Sequence, residues 1–511
     1  METGVYNRVK WTLDDGVLLL EPSEKYNASE QLLSDFSRAA VKSIKTKGII
    51  TFEGKELIGM FRQFKNLRTA DLSGFDTKEA VSFEKLFSDC VNLREVNLSS
   101  FDTRSAINFS GMFAGCERLK SIDVSHFDTS NATNFEEMFC YCKRLESLDL
   151  SHFDTSRARD MSYMFNNCAA LKNIDVSNFD TSNVTDMIGM FFWCRGLTSL
   201  DLSNFDTSET TFMSNLFSGC SSLTNLDLSN FDTSKTISME SMFNECHSLE
   251  NINLSSFDTG KVSDFNNMFA FCDSLKTIDV SGFSTKNART LGFMFYNCQN
   301  LEKIDVSNFD FSKTYSTENM FRWCESLKEI KFPSVAKFNK LNFVDTNIFS
   351  DCLNLKKFVF PEIEFTVQTK NNEPFIAFNQ KENADWAIAE LIGCFYSETK
   401  IHWGSRLKLI ELITNGKFEV PEYEKKMLLS CDRSKRTKNI ILLSIARHFS
   451  ETLHIDYSFI KQIKDIDKII QIATNENSDP LLISIDKIKN SGAMSDIDVY
   501  LNGVPLEDIL A

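Results

Sequence analysis

Between about residues 57 and 369, apolar and polar positions recur every 26 residues. A Phe-Asp-Thr segment, or a close variant of it, starts at Phe75, Phe101, Phe127, Phe153, Phe179, Phe205, Phe231, Phe257, Phe283 and Phe309 without insertion. In the same register a second phenylalanine, mostly preceded by Met, falls at Phe87, Phe113, Phe139, Phe165, Phe191, Phe217, Phe243, Phe269, Phe295 and Phe321, and a cysteine follows each three residues later, from Cys90 to Cys324. One more coil with a two-residue insertion carries Phe349 and Cys352, and an imperfect first coil carries Met60-Phe61 with Phe64 in the cysteine slot. A fixed period of this length marks a solenoid, in which one unit cannot bury its own apolar face and a stack can.

The apolar positions set the expected path of one coil. Val96 and Leu98 alternate with Asn97, which predicts a short strand with the two apolar residues inward and the polar one outward. Coils stacked at about 4.8 Å would align these strands into one parallel sheet. The Met-Phe-x-x-Cys segment should return along the opposite side as a short helical or irregular turn, and the two phenylalanine rows should form internal spines. Before the array, Asp15-Gly16 can turn a hairpin between two apolar strands. The stretch Ser29 to Lys45 reads as an amphipathic helix with Leu32, Leu33, Phe36, Ala40 and Ile44 on one side. Pro333 and Pro361 enter where the array should close, since proline cannot donate to a central ladder.

After about Asn371 the repeat is gone. The segment NNEP reads as a linker, and helical patterns follow from Trp386 through Pro480. The stretch Ile497 to Leu510 fits a hairpin around Asn502-Gly503 or a packing tail.

Composition narrows the class. The chain holds 46 Phe against 10 Tyr and 5 Trp, which the two spines explain. With 7 Pro and 19 Gly in 511 residues it is neither collagen-like nor disordered. A net charge of −16 argues against non-specific nucleic-acid binding. No run of about 18 apolar residues predicts a membrane span. The first residues lack a cationic stretch followed by an apolar core, so the chain as written reads as cytoplasmic, or as cell-surface if an export signal has been removed. Eleven of the 14 cysteines share one slot without a CxxC pair or regularly placed His, so they read as buried filler rather than disulfides or zinc ligands. No cofactor is expected.

The repeat, clearest from Met164 to Met187 (MFNNCAALKNIDVSNFDTSNVTDM), resembles those of BspA-like leucine-rich-repeat proteins, in the longer FDTS variety of bacterial surface proteins and lipoproteins. Leu93, Val96, Leu98 and Phe101 carry the matching LxxLxLxx spacing, and the likeness runs from about Phe52 to Phe360. The start, Trp11-Thr-Leu-Asp-Asp-Gly-Val-Leu, is similar to the hairpin that precedes such arrays. The expected fold class is therefore an α+β repeat solenoid. It would comprise an N-terminal cap (1–56), a right-handed leucine-rich-repeat-like stack of about 12 coils with one parallel β-sheet (57–369), and an α-helical C-terminal domain (370–511). The resemblance implies a recognition or adhesion scaffold rather than an enzyme, and no particular ligand.

Three groups of residues are candidate sites. The outward strand position carries Asp123, Asp149, Asp175, Asp201 and Asp227, an acidic face for a basic partner or for divalent cations, at a place where no turn calls for Asp. The Asp of Phe-Asp-Thr, by contrast, should cap a turn. Tyr141, Trp193, Phe271 and Trp323 stand just before the repeat cysteine, with Phe192 and Tyr296 beside them; they form an aromatic flank for protein or carbohydrate, or for packing at the edge. Lys425, Lys426, Arg433, Lys435 and Arg436 form a basic patch that could dock an acidic or phosphate-bearing surface, or simply face solvent. His402, His448, His454, Cys394 and Cys431 lie near that patch in sequence without the spacing of a metalloprotease or a nucleophile elbow. The expected function is a non-enzymatic scaffold whose repeats bind a macromolecular partner while the C-terminal domain docks, oligomerises or signals. A surface adhesin and a small enzyme within 371–511 are the alternatives.

Overall fold

The computed structural model describes residues 1–333 apart from residue 7 and the stretches 25–31, 33–34 and 53–54; beyond these it describes residues 348–349, 351–355, 357–359, 364–370, 373–379, 500–501 and 504–505. The chain divides into two compact units, Met1–Glu364 and Phe365–Ala511.

The first unit opens with an antiparallel meander of β1 (Glu2–Tyr6), β2 (Val9–Asp14) and β3 (Val17–Pro22). Asp15 (φ 43°) and Gly16 (φ 80°) both adopt the left-handed conformation that a two-residue hairpin turn of this twist demands, as the Asp-Gly pair predicts. β3 then pairs in parallel with β4 (Ser43–Thr46), β4 with β5 (Thr69–Asp71), and β5 with β6 (Glu95–Asn97). The cap thus extends the repeat sheet and covers its first strand, which would otherwise template aggregation. Among the described residues of the helix expected over Ser29–Lys45, α1 (Asp35–Ala40) is helical and Val41–Lys45 is not. Ile44 lies instead in β4, 1% exposed. From Val41 onward the alternation of β-branched and polar residues fits a strand, and pairing with β3 overrides the helical spacing.

Of the coils that follow, some carry very short strands, β7 (Asn225–Asp227), β8 (Asn251–Asn253), β9 (Lys303–Asp305), β10 (Glu329–Lys331) and β11 (Lys357–Val359). Those through Ile122, Leu148, Ile174, Leu200 and Ile278 carry none, so the single continuous parallel sheet expected is broken into separate sheets. Pairing is parallel and in register with the repeat, as in Asn225↔Asn251 and Lys303↔Glu329. The central residue points inward: Leu226 and Ile304 are buried. A second parallel ladder of single bridges runs from Glu56↔Ser82 through Asn134↔Asp160 to Thr290↔Ser316.

Of the two forms expected for the return segment, a helical or an irregular turn, the structure has the second. Phe83, Lys85, Phe87 and Asp89 donate their N–H groups to Asn108, Ser110, Met112 and Ala114 of the next coil at 2.7–2.9 Å. The N–H groups between them close tight turns within the coil, Leu86 to Phe83 (3.1 Å) and Cys90 to Phe87 (3.1 Å). Half of the segment's donors are therefore committed to a neighbour, which a helix cannot allow. The array is thus a β-solenoid of about 12 turns, and the helical part of the α+β expectation, residues 370–511, falls largely outside the described residues.

Side chains finish the stitching. Phe61, Phe87, Phe113, Phe139, Phe165, Phe191, Phe217, Phe243, Phe269, Phe295, Phe321 and Phe349 form one unbroken stack, with successive centroids 5.3–6.0 Å apart and planes within 24°. That spacing exceeds the coil repeat of about 4.8 Å, so the rings stack offset rather than face to face. The Phe-Asp-Thr row is buried too, but it shares its space with another row: Phe83 meets Phe101 at 5.4 Å and Phe109 meets Phe127 at 5.9 Å.

Each repeat cysteine described is buried and free, and its thiol donates to a phenylalanine carbonyl of the preceding coil. The Cys220 Sγ lies 3.2 Å from the Phe191 oxygen, which also accepts the Cys194 N–H at 3.1 Å. Burial pushes the Cys194 thiol up to about 12, so it stays protonated and able to donate. The threonine of Phe-Asp-Thr has a part that the turn reading missed. Thr181, fully buried, donates its hydroxyl to the Asp206 carbonyl (2.8 Å) and accepts the Asp206 N–H (2.8 Å). Where Asn precedes that Phe, at Asn178, Asn204, Asn230 and Asn308, it reaches back likewise: Asn178 Nδ2 bonds the Leu150 and Phe153 carbonyls at 3.0 and 2.7 Å.

In the second unit, residues Glu373 and Pro374 of the expected linker lie in a strand, Glu373–Asn379, that follows the strand Glu364–Lys370. Tyr500–Leu501 pairs antiparallel with Val504–Pro505, on either side of Asn502-Gly503, in the hairpin register. The helices expected between Trp386 and Pro480 fall outside the described residues.

Two substitutions test the stitching. Thr181→Val removes the partner of the part-buried N–H and carbonyl of Asp206 and should cost about 1–3 kcal/mol in urea unfolding, whereas Thr181→Ser should recover most of it. Phe191→Ala opens the ring stack and should cost about 3–5 kcal/mol.

Candidate interaction edge

The return segment turns its corner with two left-handed residues per coil, two before and two after the spine phenylalanine. In the coil around Phe113 these are Gly111 (φ 59°) and Gly115 (φ 74°), and around Phe165 they are Tyr163 (φ 55°) and Asn167 (φ 57°). Glycine adopts this conformation without steric cost and Asn tolerates it; a bulky side chain there is an outlier. Yet all four aromatics of the predicted flank occupy the second slot: Tyr141 (φ 58°), Trp193 (φ 57°), Phe271 (φ 60°) and Trp323 (φ 63°).

These residues fall into separate groups. Tyr141 is 43% exposed, with the Lys143 ammonium 5.6 Å from its ring centre. Trp193 packs against the next coil, where a β-carbon at Gly219 would collide with its ring, and the Arg195 guanidinium lies 4.6 Å from the ring centre. Edge packing therefore accounts for Trp193. Phe271 and Trp323 are joined through Tyr296, which meets them at 5.2 and 5.4 Å, and Phe293 adds a contact at 5.3 Å. Trp323 is 37% exposed, with the Arg322 guanidinium 5.2 Å from its ring. Against this cluster stands a polar one: His247 Nδ1 lies 2.7 Å from Asp273 Oδ2, and Asn297 Nδ2 donates to Asp273 Oδ1 at 3.2 Å. The His247 ring is 6.4 Å from Phe271. Sequence reasoning missed Phe293, His247, Asp273 and Asn297. The signal for the corner was present, because Gly and Asn fill the equivalent slots of other coils.

Asp123, Asp149, Asp175, Asp201 and Asp227 are all exposed; Asp227 ends β7, and the other four hold the equivalent position in coils that have no strand. Contrary to expectation, a turn does call for Asp there. Each carboxylate accepts the N–H of the serine two residues on: Ser125, Ser151, Ser177, Ser203 and Ser229, at 3.0–3.1 Å. Hydrogen bonds from those serines hold all five carboxyls below the usual range. The Asp of Phe-Asp-Thr caps its own turn as expected, for instance Ser182 N–H to Asp180 at 3.0 Å. Among the described residues no lysine or arginine pairs with the five, whereas Asp305 pairs with Lys331 at 3.1 Å. Among the same residues no cluster is suited to hold a metal ion, and no helix is long and apolar enough to cross a membrane. Lys425, Lys426, Arg433, Lys435 and Arg436, like His402, His448, His454, Cys394 and Cys431, lie outside the described residues.

No curated protein matches the chain. Among solved structures, a leucine-rich cell surface protein from Faecalibacterium prausnitzii A2-165 is similar at 15% identity and a TM-score of 0.32, covering 71% of this chain and 95% of that one. The pneumococcal vaccine antigen PcpA is similar at 12% identity and a TM-score of 0.19, covering 73% and 89%. TLR13, in a complex with ssRNA13, is similar at 14% identity and a TM-score of 0.19, covering 66% and 60%. A family profile described as "Mycoplasma protein of unknown function, DUF285" matches three overlapping stretches, residues 55–173, 142–252 and 224–333. Together these span more than half of the sequence, and the chain belongs to the DUF285 family.

Proposed function

We propose that this protein is a non-enzymatic recognition scaffold whose repeat array presents its corner edge to a macromolecular partner. The observation that carries this reading is the placement of Tyr141, Phe271 and Trp323, which edge packing against Gly219 does not claim as it does Trp193, on left-handed backbone. Each such placement costs of order 1–3 kcal/mol, and strain of this kind is retained where it serves a site. Aromatic rings with adjacent cations are also the groups that contribute most to binding surfaces. A regular array holds them in fixed register, so little ordering entropy is lost on association.

The strand aspartates are a second contact surface for a basic partner. Each of the five uses one oxygen to cap its turn and keeps further acceptor capacity toward solvent. Attraction through them is present above the usual carboxylate range and is lost as pH falls through their lowered values.

Immobilised full-length protein should retain a macromolecule from a surface extract of the cells that produce it. Tyr141→Gly with Trp323→Gly should weaken that capture at least tenfold and leave the melting temperature unchanged or higher, because glycine relieves the corner. Equal capture by the variant rejects the edge. Asp149→Asn, Asp175→Asn and Asp201→Asn together keep the turn caps, since an amide oxygen accepts the same N–H. They should flatten the salt dependence of capture; an unaltered slope rejects the strand face.

A further inference from the structure

We propose that the edge carries a glycan-binding patch formed by His247, Phe271, Asp273, Tyr296, Asn297 and Trp323. The proposal rests on the recognition reading of the same edge and names its ligand class. The six residues make one connected surface. His247, Asp273 and Asn297 are tied by hydrogen bonds of 2.7 and 3.2 Å, and Phe271, Tyr296 and Trp323 are tied by ring contacts of 5.2 and 5.4 Å. His247 links the two halves through its contact with Phe271.

The two halves match the two kinds of surface on a pyranose. Its C–H face is apolar and seats against an aromatic ring, while its rim of hydroxyls needs planar acceptors and donors. The hydrogen bonds to Asp273 come one to each oxygen, so each oxygen keeps acceptor capacity for a sugar hydroxyl. Among the described residues the Tyr296 hydroxyl and the Trp323 indole N–H make no hydrogen bond, and both remain able to donate. The His247 and Asp273 side chains are 43% and 31% exposed, while Asn297 is 8% exposed and held by its neighbours, so the polar half is accessible and its orientation is set before binding.

Size separates this ligand from a folded protein. A stable protein interface buries about 800 Å² on each partner around a fully desolvated core. Here Trp323 is the exposed member of the aromatic group, while Phe271 and Tyr296 are half-buried. Phe271 and Trp323 stand two coils apart, a span of about 10 Å along the array. A short stretch of an extended oligosaccharide fits that span.

The full-length protein is applied to a printed array of defined glycans, and the oligosaccharide of the strongest spot is titrated by calorimetry. We expect a bound glycan class whose affinity is nearly independent of salt and falls at least tenfold in Trp323→Gly and in Asp273→Asn. The melting temperatures of both variants should stay close to that of the unsubstituted protein. Asp273→Asn preserves the shape of the site and guards against loss of fold. No bound glycan, or binding unaffected by both substitutions, overturns the assignment. If no glycan binds while Tyr141→Gly with Trp323→Gly still abolishes capture from extract, the ligand class is wrong and the recognition reading stands. If neither readout responds, both readings fall.

Discussion

No coil of this array can satisfy its own backbone. Every second N–H of the return segment looks to the next coil for an acceptor, and the buried threonine hydroxyl and cysteine thiol complete bonds that cross the same boundary. An unpaired buried polar group costs more than most single contacts supply, so coils form together or not at all. The aromatic stack adds apolar burial but does not set the spacing. The backbone ladders do, and the rings adjust by sliding out of perfect overlap.

This constraint explains which features were legible in the sequence. The 26-residue period, the inward Val and Leu, the phenylalanine spine and the buried cysteines follow from apolar periodicity alone. The Asp15-Gly16 turn was readable because the turn needs positive φ at both positions, which Gly adopts freely and Asp tolerates. The return segment was legible only as a choice. Its apolar spacing fits a helical or an irregular turn, and the cross-coil pairing of Phe83, Lys85, Phe87 and Asp89, which commits its donors to the next coil, decides for the second. Residues near Ile44 misled for a related reason, since a neighbouring strand offered a better partner than a helix could.

The candidate edge was half visible. Four aromatics in one register could be found by alignment, but their backbone conformation could not. Neither could the division between Trp193, packed on Gly219, and the Phe271–Tyr296–Trp323 group with its polar neighbours. The strand aspartates show the opposite error. They looked free for binding because no turn was evident, and the structure gives each a serine N–H to cap. Structural and binding parts coexist in such a residue, since a carboxylate has more acceptor sites than one cap uses.

Residue-resolved native-state hydrogen exchange tests the central claim most directly, because it reads the cross-coil bonds themselves. The amides of Tyr141, Trp193 and Phe271, whose side chains sit on the surface, donate to Asn166, Ser218 and Tyr296 of the following coils at 2.7–2.8 Å. They should exchange as slowly as the buried amides of Phe139, Phe191 and Phe269. Exchange at the rate of an open surface loop would mean that the edge is not held by the coil beside it, and the account would fail.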